Sequence, residues 1–516
     1  MCIPDLNHIQ ARYLQMLLLF SLKTFLNFSF NLKKGGEMKN IMKVLMIILV
    51  AICAVNISHA AEKSATASKP NVVIMMVDNL GWGEIGTYGG GILRGARTPR
   101  LDTLAEEGMK LLNFNVEPQC TPSRSAFMTG RHPIRSGTTK VVWGMLYGLT
   151  QWEVTMAELF KDAGYATGMF GKWHLGNTPG RFPTDQGFDE WFGIPDSTDE
   201  TLYPTSVHYD PSETKMSSIY EKKEGGKLKA LRPYTVEERP FIDTEITKRI
   251  IDFMKRKAKK GEPFFAFVPF TLPHLPVLPH PDFAGKTGNG NYADVIVEID
   301  HHAGEIIDTI KQLGIEKDTI VIWTSDNGPE QIEGAHGTAG FWRGNYFTAL
   351  EGSLRTSFLI KWPGKIPAGT ISNEIVHITD LLPSLSTIAG YDIPKDRMID
   401  GIDQIDFFLG KQKKSNREGF PVFNGDELFA YKYRNYKMHF IRLDSMFEAP
   451  EKLNMPQMFN LIQDPKELYP LDKVDVAEAW FMAPVSKRIV EFKESLAKEP
   501  PIMLGTPDPY VPPKRQ

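Results

Sequence analysis

Cysteine is scarce in this 516-residue chain, which has only Cys2, Cys53 and Cys120. Two of the three stand within the first 60 residues, so Cys120 alone remains if that segment is removed. A chain with one cysteine cannot form an internal disulfide. A lone cysteine is usually a buried, inert thiol, and only its surroundings can indicate another role.

A strong excess of charge is also lacking. The formal net charge is −3, and no long run of Lys and Arg occurs. Binding to nucleic acid or to an anionic membrane surface therefore has no electrostatic support. Hydrophobic residues make up 42% and charged residues 23%, which is typical of a globular protein. The length suits one large domain with a smaller one.

Residues 38–60 have the pattern of a secretory signal peptide. Lys39 and Lys43 precede the apolar run 44–55, and a small-x-small cleavage motif ends at Ala60. The run is too short to span a bilayer comfortably. We expect cleavage to leave a bacterial periplasmic or secreted protein with no transmembrane anchor. The mature chain would lose six basic and two acidic side chains and would keep 53 and 60, for a net charge of −7.

Apolar runs alternate with helical patterns between residues 70 and 400. Residues 71–78, 263–271 and 318–323 are runs of the kind that parallel sheets bury on both faces. Between the last two, residues 293–313 carry apolar residues at helical spacing. This alternation predicts an α/β domain with a large mixed, mostly parallel sheet flanked by helices. Such sheets bind ligands beyond the carboxyl ends of their strands, where a polar cluster follows each run.

The pattern changes after about residue 400. Residues 420–424 and 428–443 are typical of short strands in a hairpin or meander, and residues 473–498 include a charged helix. We therefore predict a catalytic domain over residues 70–400 and a small C-terminal α+β domain over residues 401–516.

The most specific segment runs from Cys120 to Arg131 and reads Cys-Thr-Pro-Ser-Arg-Ser-Ala-Phe-Met-Thr-Gly-Arg. It resembles the signature of the sulfatase family, Cys-x-Pro-Ser-Arg followed by Thr-Gly-Arg. The resemblance covers roughly residues 70–400 and implies an alkaline-phosphatase-like fold and hydrolysis of aryl or carbohydrate sulfate esters. It also implies that a formylglycine-generating or radical maturation enzyme oxidises Cys120 to Cα-formylglycine. The hydrated aldehyde has two hydroxyls on one carbon, so one can attack sulfur and the other can later expel sulfate.

The same resemblance implies a divalent-cation site. Asp78 and Asn79 match the first metal-binding pair of the family, Asp326 and Asn327 match the second, and the converted Cys120 completes the set. Oxygen ligands favour a hard cation, Ca²⁺ or Mg²⁺, over zinc. The first pair is usually two aspartates, so Asn79 leaves two carboxylates in place of three. Weaker metal binding is the expected consequence.

The remaining matches concern the sulfate group. By resemblance, Lys172 binds sulfate, and His174 is the base that deprotonates the second hydroxyl. His274 would contact sulfate and help to protonate the leaving alcohol, and Arg124 would hold the hydrate and offset its negative charge. Many relatives also place a lysine shortly before a Glu-Gly pair. This chain has none there, so we nominate Arg343, the nearest cation, as a substrate-binding residue.

Each of these residues also has an ordinary interpretation. Asp-Asn and Asn-Gly pairs are more often turns than ligands, and a single histidine is often a hydrogen-bonded interior residue. Their joint order and spacing around the cysteine motif favour the enzyme. Two alternatives stay open, namely a phosphoesterase or phosphonate hydrolase of the same superfamily, and a catalytically silent relative that binds sulfated glycans. In the silent relative, Cys120 would remain a thiol.

The substrate would be a sulfated small molecule or glycan, and the sequence does not choose between these. Residues 140–152 and 195–240 are the candidate specificity loops. Aromatic side chains suit sugars and aryl groups alike, and those of the two loops are Trp143, Tyr147, Trp152, Tyr203 and Tyr209.

Residues 1–37 precede the predicted signal peptide. Residues 33–37 can be encoded by purine-rich codons that resemble a bacterial ribosome-binding site. We therefore predict that translation starts at Met38 and that residues 1–37 are a non-native extension. N-terminal sequencing of the unprocessed precursor should begin at Met38, and any peptide from residues 1–37 would contradict this start.

Overall fold

The computed structural model describes residues 69–141, 148–332, 335–471 and 476–513. The predicted extension 1–37, the predicted leader 38–60 and the loop aromatics Trp143 and Tyr147 lie outside the described residues. Within the described ranges, no helix has both the length and the apolar character needed to cross a bilayer.

An 11-stranded sheet lies at the centre of the fold. The strands of the described chain are, in order, β1 (Asn71–Val77), β2 (Met109–Asn115), β3 (Ala166–Lys172), β4 (Glu190–Ile194), β5 (Ser218–Lys222), β6 (Lys229–Pro233), β7 (Phe264–Pro269), β8 (Thr319–Ser325), β9 (Gln331–Ile332), β10 (Ala335–His336), β11 (Arg355–Lys361), β12 (Thr370–Ser372), β13 (Val376–His377), β14 (Gly419–Asn424), β15 (Glu427–Tyr433), β16 (Tyr436–Arg442) and β17 (Glu451–Asn460). The order in the central sheet is β12-β2-β11-β8-β1-β7-β3-β4-β5-β6, and β13 also pairs with β2.

The middle of this sheet is parallel. Strands β8, β1, β7, β3 and β4 are parallel neighbours, with Val72 of β1 opposite both Ile320 of β8 and Phe265 of β7. Antiparallel pairing occurs where β11 lies between β2 and β8 and where β5 and β6 form one edge. The predicted mixed, mostly parallel sheet is confirmed, and each of the three predicted apolar runs overlaps a strand of its parallel centre.

Helices cover both faces of the sheet. They are α1 (Pro99–Glu106), α2 (Cys120–Thr129), α3 (Pro133–Ser136), α4 (Met156–Asp162), α5 (Ile242–Lys260), α6 (Asn291–Gln312), α7 (Glu351–Leu354), α8 (Leu381–Ala389), α9 (Ile405–Phe408) and α10 (Met482–Lys498). Alternate residues of β1 enter two separate cores, one shared with α5 and α6 and the other with α2 and α8. All seven residues of β1 are buried, because a strand covered on both faces needs apolar side chains at every position. The predicted helix over 293–313 is confirmed as α6.

A second sheet follows in the C-terminal part. Strands β14 to β17 form a four-stranded antiparallel meander, and α10 packs against it through Val485. This arrangement confirms the predicted C-terminal α+β architecture.

A buried ionic network joins the two sheets. The carboxylate of Glu351, at the start of α7, accepts hydrogen bonds from Lys432 Nζ at 2.7 Å and lies 2.8 Å from Lys437 Nζ. Both lysines belong to the C-terminal sheet, and Lys432 also donates to Asn113 and Asn115 of β2 at 2.8 Å each. Burial opposes ionisation of Glu351, but these cations and Arg355 hold the pKa of its carboxyl well below its usual range.

Lys432→Met should destabilise the protein strongly, because it leaves the Glu351 carboxylate buried with part of its charge uncompensated. We expect the free energy of unfolding to fall by about 3–5 kcal/mol, measured by urea denaturation. Lys411→Met is the matched control, since the Lys411–Asp406 pair at 2.9 Å is largely exposed. The control should leave the unfolding midpoint unchanged. Equal midpoints for both variants would show that the network adds no stability.

Candidate active site

The predicted site residues meet at one edge of the parallel sheet. Asp78 and Asn79 follow β1, and Asp326 and Asn327 follow β8 directly beside it. Because the carboxyl ends of neighbouring parallel strands lie at the same edge, residues 248 positions apart come into contact there. On the other side of β1, Lys172 is the last residue of β3, His174 follows that strand, and His274 follows β7.

Cys120 is the first residue of α2, and its helix is buried along its whole length. Its Sγ lies 3.6 Å from Asp78 Oδ1 and 3.5 Å from Asn79 Oδ1. Burial, together with the charges of Asp78 and Asp326, raises the pKa of the Cys120 thiol well above its ordinary value. An unmodified Cys120 is therefore a protonated thiol, which is a weak nucleophile.

Four oxygen-bearing side chains lie around Cys120 in positions that fit a hard cation. Asn79 donates its backbone N–H to Asp326 Oδ1 at 3.1 Å, and Asn327 Nδ2 donates to Asn79 Oδ1 at 2.5 Å. Asn327 Oδ1 is buried with no hydrogen-bond partner. A buried acceptor without a donor is costly, and a cation would satisfy it. The residues present thus fit the divalent ion that the sequence predicts.

Two cations balance the two carboxylates of this cluster. Arg124 donates through Nε and Nη2 to Asp326 Oδ2 at 3.0 and 2.8 Å, and Lys172 Nζ donates to Asp78 Oδ2 at 2.7 Å. Burial opposes ionisation of Asp78, but Lys172, His274 and Arg124 hold its carboxyl pKa below the usual range. Burial and the charge of Asp78 raise the pKa of Asp326 to about 6.

His174 lies in the same buried pocket with its ring uncharged. Burial and the neighbouring cations Lys172 and Arg124 lower the imidazole pKa well below its ordinary value. Its Nδ1 has no hydrogen-bond partner. The residue has a left-handed backbone, with φ at +61°, and Thr121 Oγ1 donates to its carbonyl at 3.0 Å. A left-handed backbone is strained for a non-glycine residue, and residues strained in this way are common at functional sites.

His274 has its tautomer set by its neighbours. Its Nδ1 lies 2.8 Å from Thr198 Oγ1 and 2.9 Å from the Leu275 carbonyl, to which the Thr198 hydroxyl also donates. Nδ1 is therefore the donor, which leaves Nε2 to face the site, 3.6 Å from Glu330 Oε1. Ligand atoms of His274, Asp78 and Cys120 all lie within 4.8 Å of one another.

Arg343 is not part of this group. Its Nε and Nη2 donate to the carbonyls of Lys466 and Glu467 at 2.6 Å each, and Nη1 lies 3.2 Å from Asp444 Oδ1. The guanidinium is thus held by the C-terminal part of the chain, and the substrate-binding role of Arg343 stays a prediction. Nearness in the sequence to the Glu-Gly pair could not show which way the side chain points.

Sequence reasoning missed several residues of the site. Ser197 accepts a hydrogen bond from Lys172 Nζ at 3.1 Å, and Thr198 and Glu330 contact His274 as described above. The phenol of Tyr346 has its pKa raised well above the ordinary value by burial and by the nearby charges of Cys120, Glu330 and Asp78. Two sequence signals could have indicated these residues. Glu330 directly follows the Asp-Asn-Gly-Pro motif, and the polar run that contains Ser197 and Thr198 follows β4.

Comparison with known proteins agrees with this geometry. The family model described as Sulfatase matches residues 70–391, and the C-terminal region of aryl-sulfatase matches residues 415–514. N-acetylgalactosamine-6-sulfatase of Canis lupus familiaris is 32% identical over 78% of this chain and 81% of its own sequence. Arylsulfatase A of Homo sapiens is 33% identical over 79% and 84%.

A solved structure shares the whole architecture. The PsFucS1 sulfatase from Pseudoalteromonas sp. superposes with a TM-score of 0.80 at 30% identity, and the match covers 86% of this chain and 94% of that one. The match of the family model over residues 70–391, the identity with these relatives and the shared fold leave one conclusion. The chain belongs to the sulfatase family and is a sulfuric ester hydrolase.

Proposed function

We propose that the protein hydrolyses the sulfate ester of a carbohydrate or aryl alcohol with formylglycine at position 120 and a bound Ca²⁺ or Mg²⁺. The observation that carries the proposal is the contact of Cys120 with Asp78 and Asn79 in a buried pocket that also contains Lys172 and His274. A sulfate group needs cations around its oxygens and a proton donor beside its bridging oxygen, and this pocket has both kinds of residue.

Two groups are supplied by maturation and by metal loading. The formylglycine hydrate would provide the attacking hydroxyl and a second hydroxyl for the release of sulfate. The cation would be held by Asp78, Asn79, Asp326 and Asn327 and would neutralise negative charge on the transferring group. A formylglycine-generating or radical maturation enzyme is the partner that the first group requires.

The protein's own side chains have distinct parts in this proposal. Lys172, fixed by Asp78 and Ser197, places a positive charge at the sulfate position. Arg124 holds Asp326 through two hydrogen bonds, so the carboxylate keeps its orientation. His174 is uncharged and can accept a proton from the hydroxyl at position 120. His274 presents Nε2 to the site and, when both ring nitrogens carry a proton, can pass the Nε2 proton to the leaving alcohol.

Sulfated glycans are the substrates that we favour. One relative is named for the 6-sulfate of N-acetylgalactosamine, and our proposal extends a sugar sulfate substrate to this chain. The expected signal peptide at residues 38–60 adds export to the periplasm or beyond, where sulfated polysaccharides are accessible.

Hydrolysis of 4-nitrophenyl sulfate should clearly exceed hydrolysis of 4-nitrophenyl phosphate when the protein is made in a host with formylglycine-generating activity. Cys120→Ala should lower sulfate turnover by about a thousandfold or more, because the nucleophile is lost. Faster phosphate cleavage would indicate a phosphoesterase. Mass spectrometry of position 120 is the control, since an unconverted thiol is heavier than the aldehyde. Full conversion without turnover of any sulfate ester would favour the silent glycan-binding alternative.

Asn79→Asp should tighten Ca²⁺ binding by about tenfold, because it adds a third carboxylate to an oxygen site. Asn79 has a left-handed backbone with φ at +63°, which aspartate also tolerates, so the exchange should not disturb the turn. Isothermal titration calorimetry of the metal-free protein with Ca²⁺ measures the effect without relying on turnover. Asp210→Asn, at an exposed position, is the control that should leave the affinity unchanged. Unchanged or weaker binding by Asn79→Asp would exclude Asn79 from the metal site.

A further inference from the structure

The segment after β4 is attached to the proposed sulfate-binding side chains. Ser197 Oγ accepts from Lys172 Nζ at 3.1 Å, and Thr198 Oγ1 lies 2.8 Å from His274 Nδ1. The residues on either side of this pair are Asp196 and Asp199, which are thereby held next to the pocket.

Four carboxyl groups border the pocket here, and we call them the acidic wall: Asp196, Asp199, Glu200 and Glu330. Their exposed fractions are 5%, 9%, 7% and 7%. Glu330 joins the group through His274, whose Nε2 lies 3.6 Å from its carboxylate. Among the described residues, no Lys or Arg forms an ion pair with any of the four.

Three atoms of the acidic wall are buried acceptors without a donor. Asp196 Oδ1, Asp199 Oδ1 and Glu330 Oε2 have no hydrogen-bond partner within the described parts of the chain. Buried carboxylate oxygens without partners are costly, so these atoms are suited to a donor that arrives with a ligand.

The charge state of the acidic wall also suits it to bind the hydroxyl groups of a ligand. Burial raises the pKa of Asp196 to about 6, and burial together with the charges of Asp196 and Asp199 raises that of Glu200 to about 9. At neutral pH, the group thus combines the ionised carboxylate of Asp196 with the protonated carboxyl of Glu200. Such a mixture can accept from hydroxyls and can also donate one hydrogen bond.

An aromatic side chain stands beside these carboxyls. Tyr203 lies in the same 3₁₀ helix as Asp199 and Glu200, and that helix spans Asp199–Thr205. Tyr203 is half-buried, and its ring centroid is 6.3 Å from that of Tyr209. An aromatic ring next to carboxylates offers both an apolar face and hydroxyl acceptors, which are the two surfaces of a sugar ring.

We propose that the acidic wall binds the free hydroxyls of a sugar next to the sulfate ester and rejects a second anion at those positions. The inference rests on the proposed function and specifies its substrate as a singly sulfated sugar with free neighbouring hydroxyls. Hydroxyl hydrogens would reach the unpartnered oxygens of Asp199 and Glu330. A second sulfate there would meet buried carboxylates, and like charges brought together in a desolvated site repel strongly.

The first test compares substrates with the mature, metal-loaded enzyme. A panel of monosulfated hexoses and N-acetylhexosamines is assayed beside the matching disulfates, with glucosamine 6-sulfate as the free-amine member and 4-nitrophenyl sulfate as the reference. We expect kcat/KM for the best monosulfate to exceed that of its disulfate by at least about tenfold. Equal or faster cleavage of disulfates would overturn the inference. So would cleavage of the aryl ester with no sugar cleaved, or a clear preference for the free amine.

The outcome for the reference substrate separates this inference from the proposed function. If neither 4-nitrophenyl sulfate nor any sugar sulfate is cleaved by fully converted enzyme, the proposed function itself fails. If sulfate esters are cleaved without discrimination between monosulfates and disulfates, only the acidic wall is assigned wrongly.

The second test changes the acidic wall. Asp199→Asn should lower the ratio of kcat/KM for the best monosulfated sugar to that for 4-nitrophenyl sulfate by roughly tenfold to a hundredfold. It should also reduce the discrimination against disulfates. Asp210→Asn is the same exchange at an exposed position eleven residues further along, and it should leave both ratios unchanged. Glu200→Gln, which is almost isosteric, provides a second variant if Asp199→Asn does not fold. Ratios equal to those of the wild type in a folded variant of either residue would contradict the proposal.

Discussion

Two carboxylates without access to bulk water, Asp78 and Asp326, set the conditions for the rest of the catalytic centre. Charges buried in this way persist only when cations and hydrogen-bond donors compensate them. Arg124 and Lys172 supply that compensation from α2 and β3, so the two positive side chains that face the sulfate position also balance the site. A divalent ion would add to the same balance, and the unpartnered oxygen of Asn327 is consistent with it.

The same principle connects the two sheets. Glu351 is fully buried, and its charge is met by Lys432 and Lys437, which come from the C-terminal sheet. Glu351 comes directly after the segment that contains Arg343 and Tyr346. Arg343 contacts the C-terminal part of the chain, and Tyr346 lies near Cys120. The C-terminal sheet therefore does more than cover the larger domain, because its lysines fix a segment that reaches the active site.

Charge is arranged across the pocket in a definite direction. Lys172 and the proposed metal-binding oxygens lie where the sulfate would bind, whereas the carboxylate of Glu330 lies 3.6 Å from His274 Nε2. An ester bound between them would place its anionic group against Lys172 and its alcohol against carboxyl groups. In the proposed mode of binding, this polarity would orient the substrate and would give a physical reason for specificity among sulfated sugars beyond the shape of the pocket.

The sequence by itself determined the sulfatase motif around Cys120, the buried strands at the centre of the sheet and the order of Asp78, Lys172, His274 and Asp326 along the chain. These features are local, since an apolar run or a spaced motif can be recognised without its partners. Roles for the individual residues remain predictions that rest on the family resemblance. Only the tertiary structure decided that Arg343 turns towards Asp444 and the carbonyls of Lys466 and Glu467.

Tertiary structure also decided that Ser197, Thr198, Asp199 and Glu330 belong to the pocket. The side chains of Arg124 and Asp326 are hydrogen-bonded although they are 202 residues apart in the sequence. Those of Thr198 and His274 are hydrogen-bonded at a separation of 76 residues. Contacts at such separations depend on strand order and register, which are fixed by packing of the whole sheet against its helices. No local pattern in the chain encodes them, and for that reason the motif around Cys120 could be recognised from the sequence while the contact of Thr198 with His274 could not.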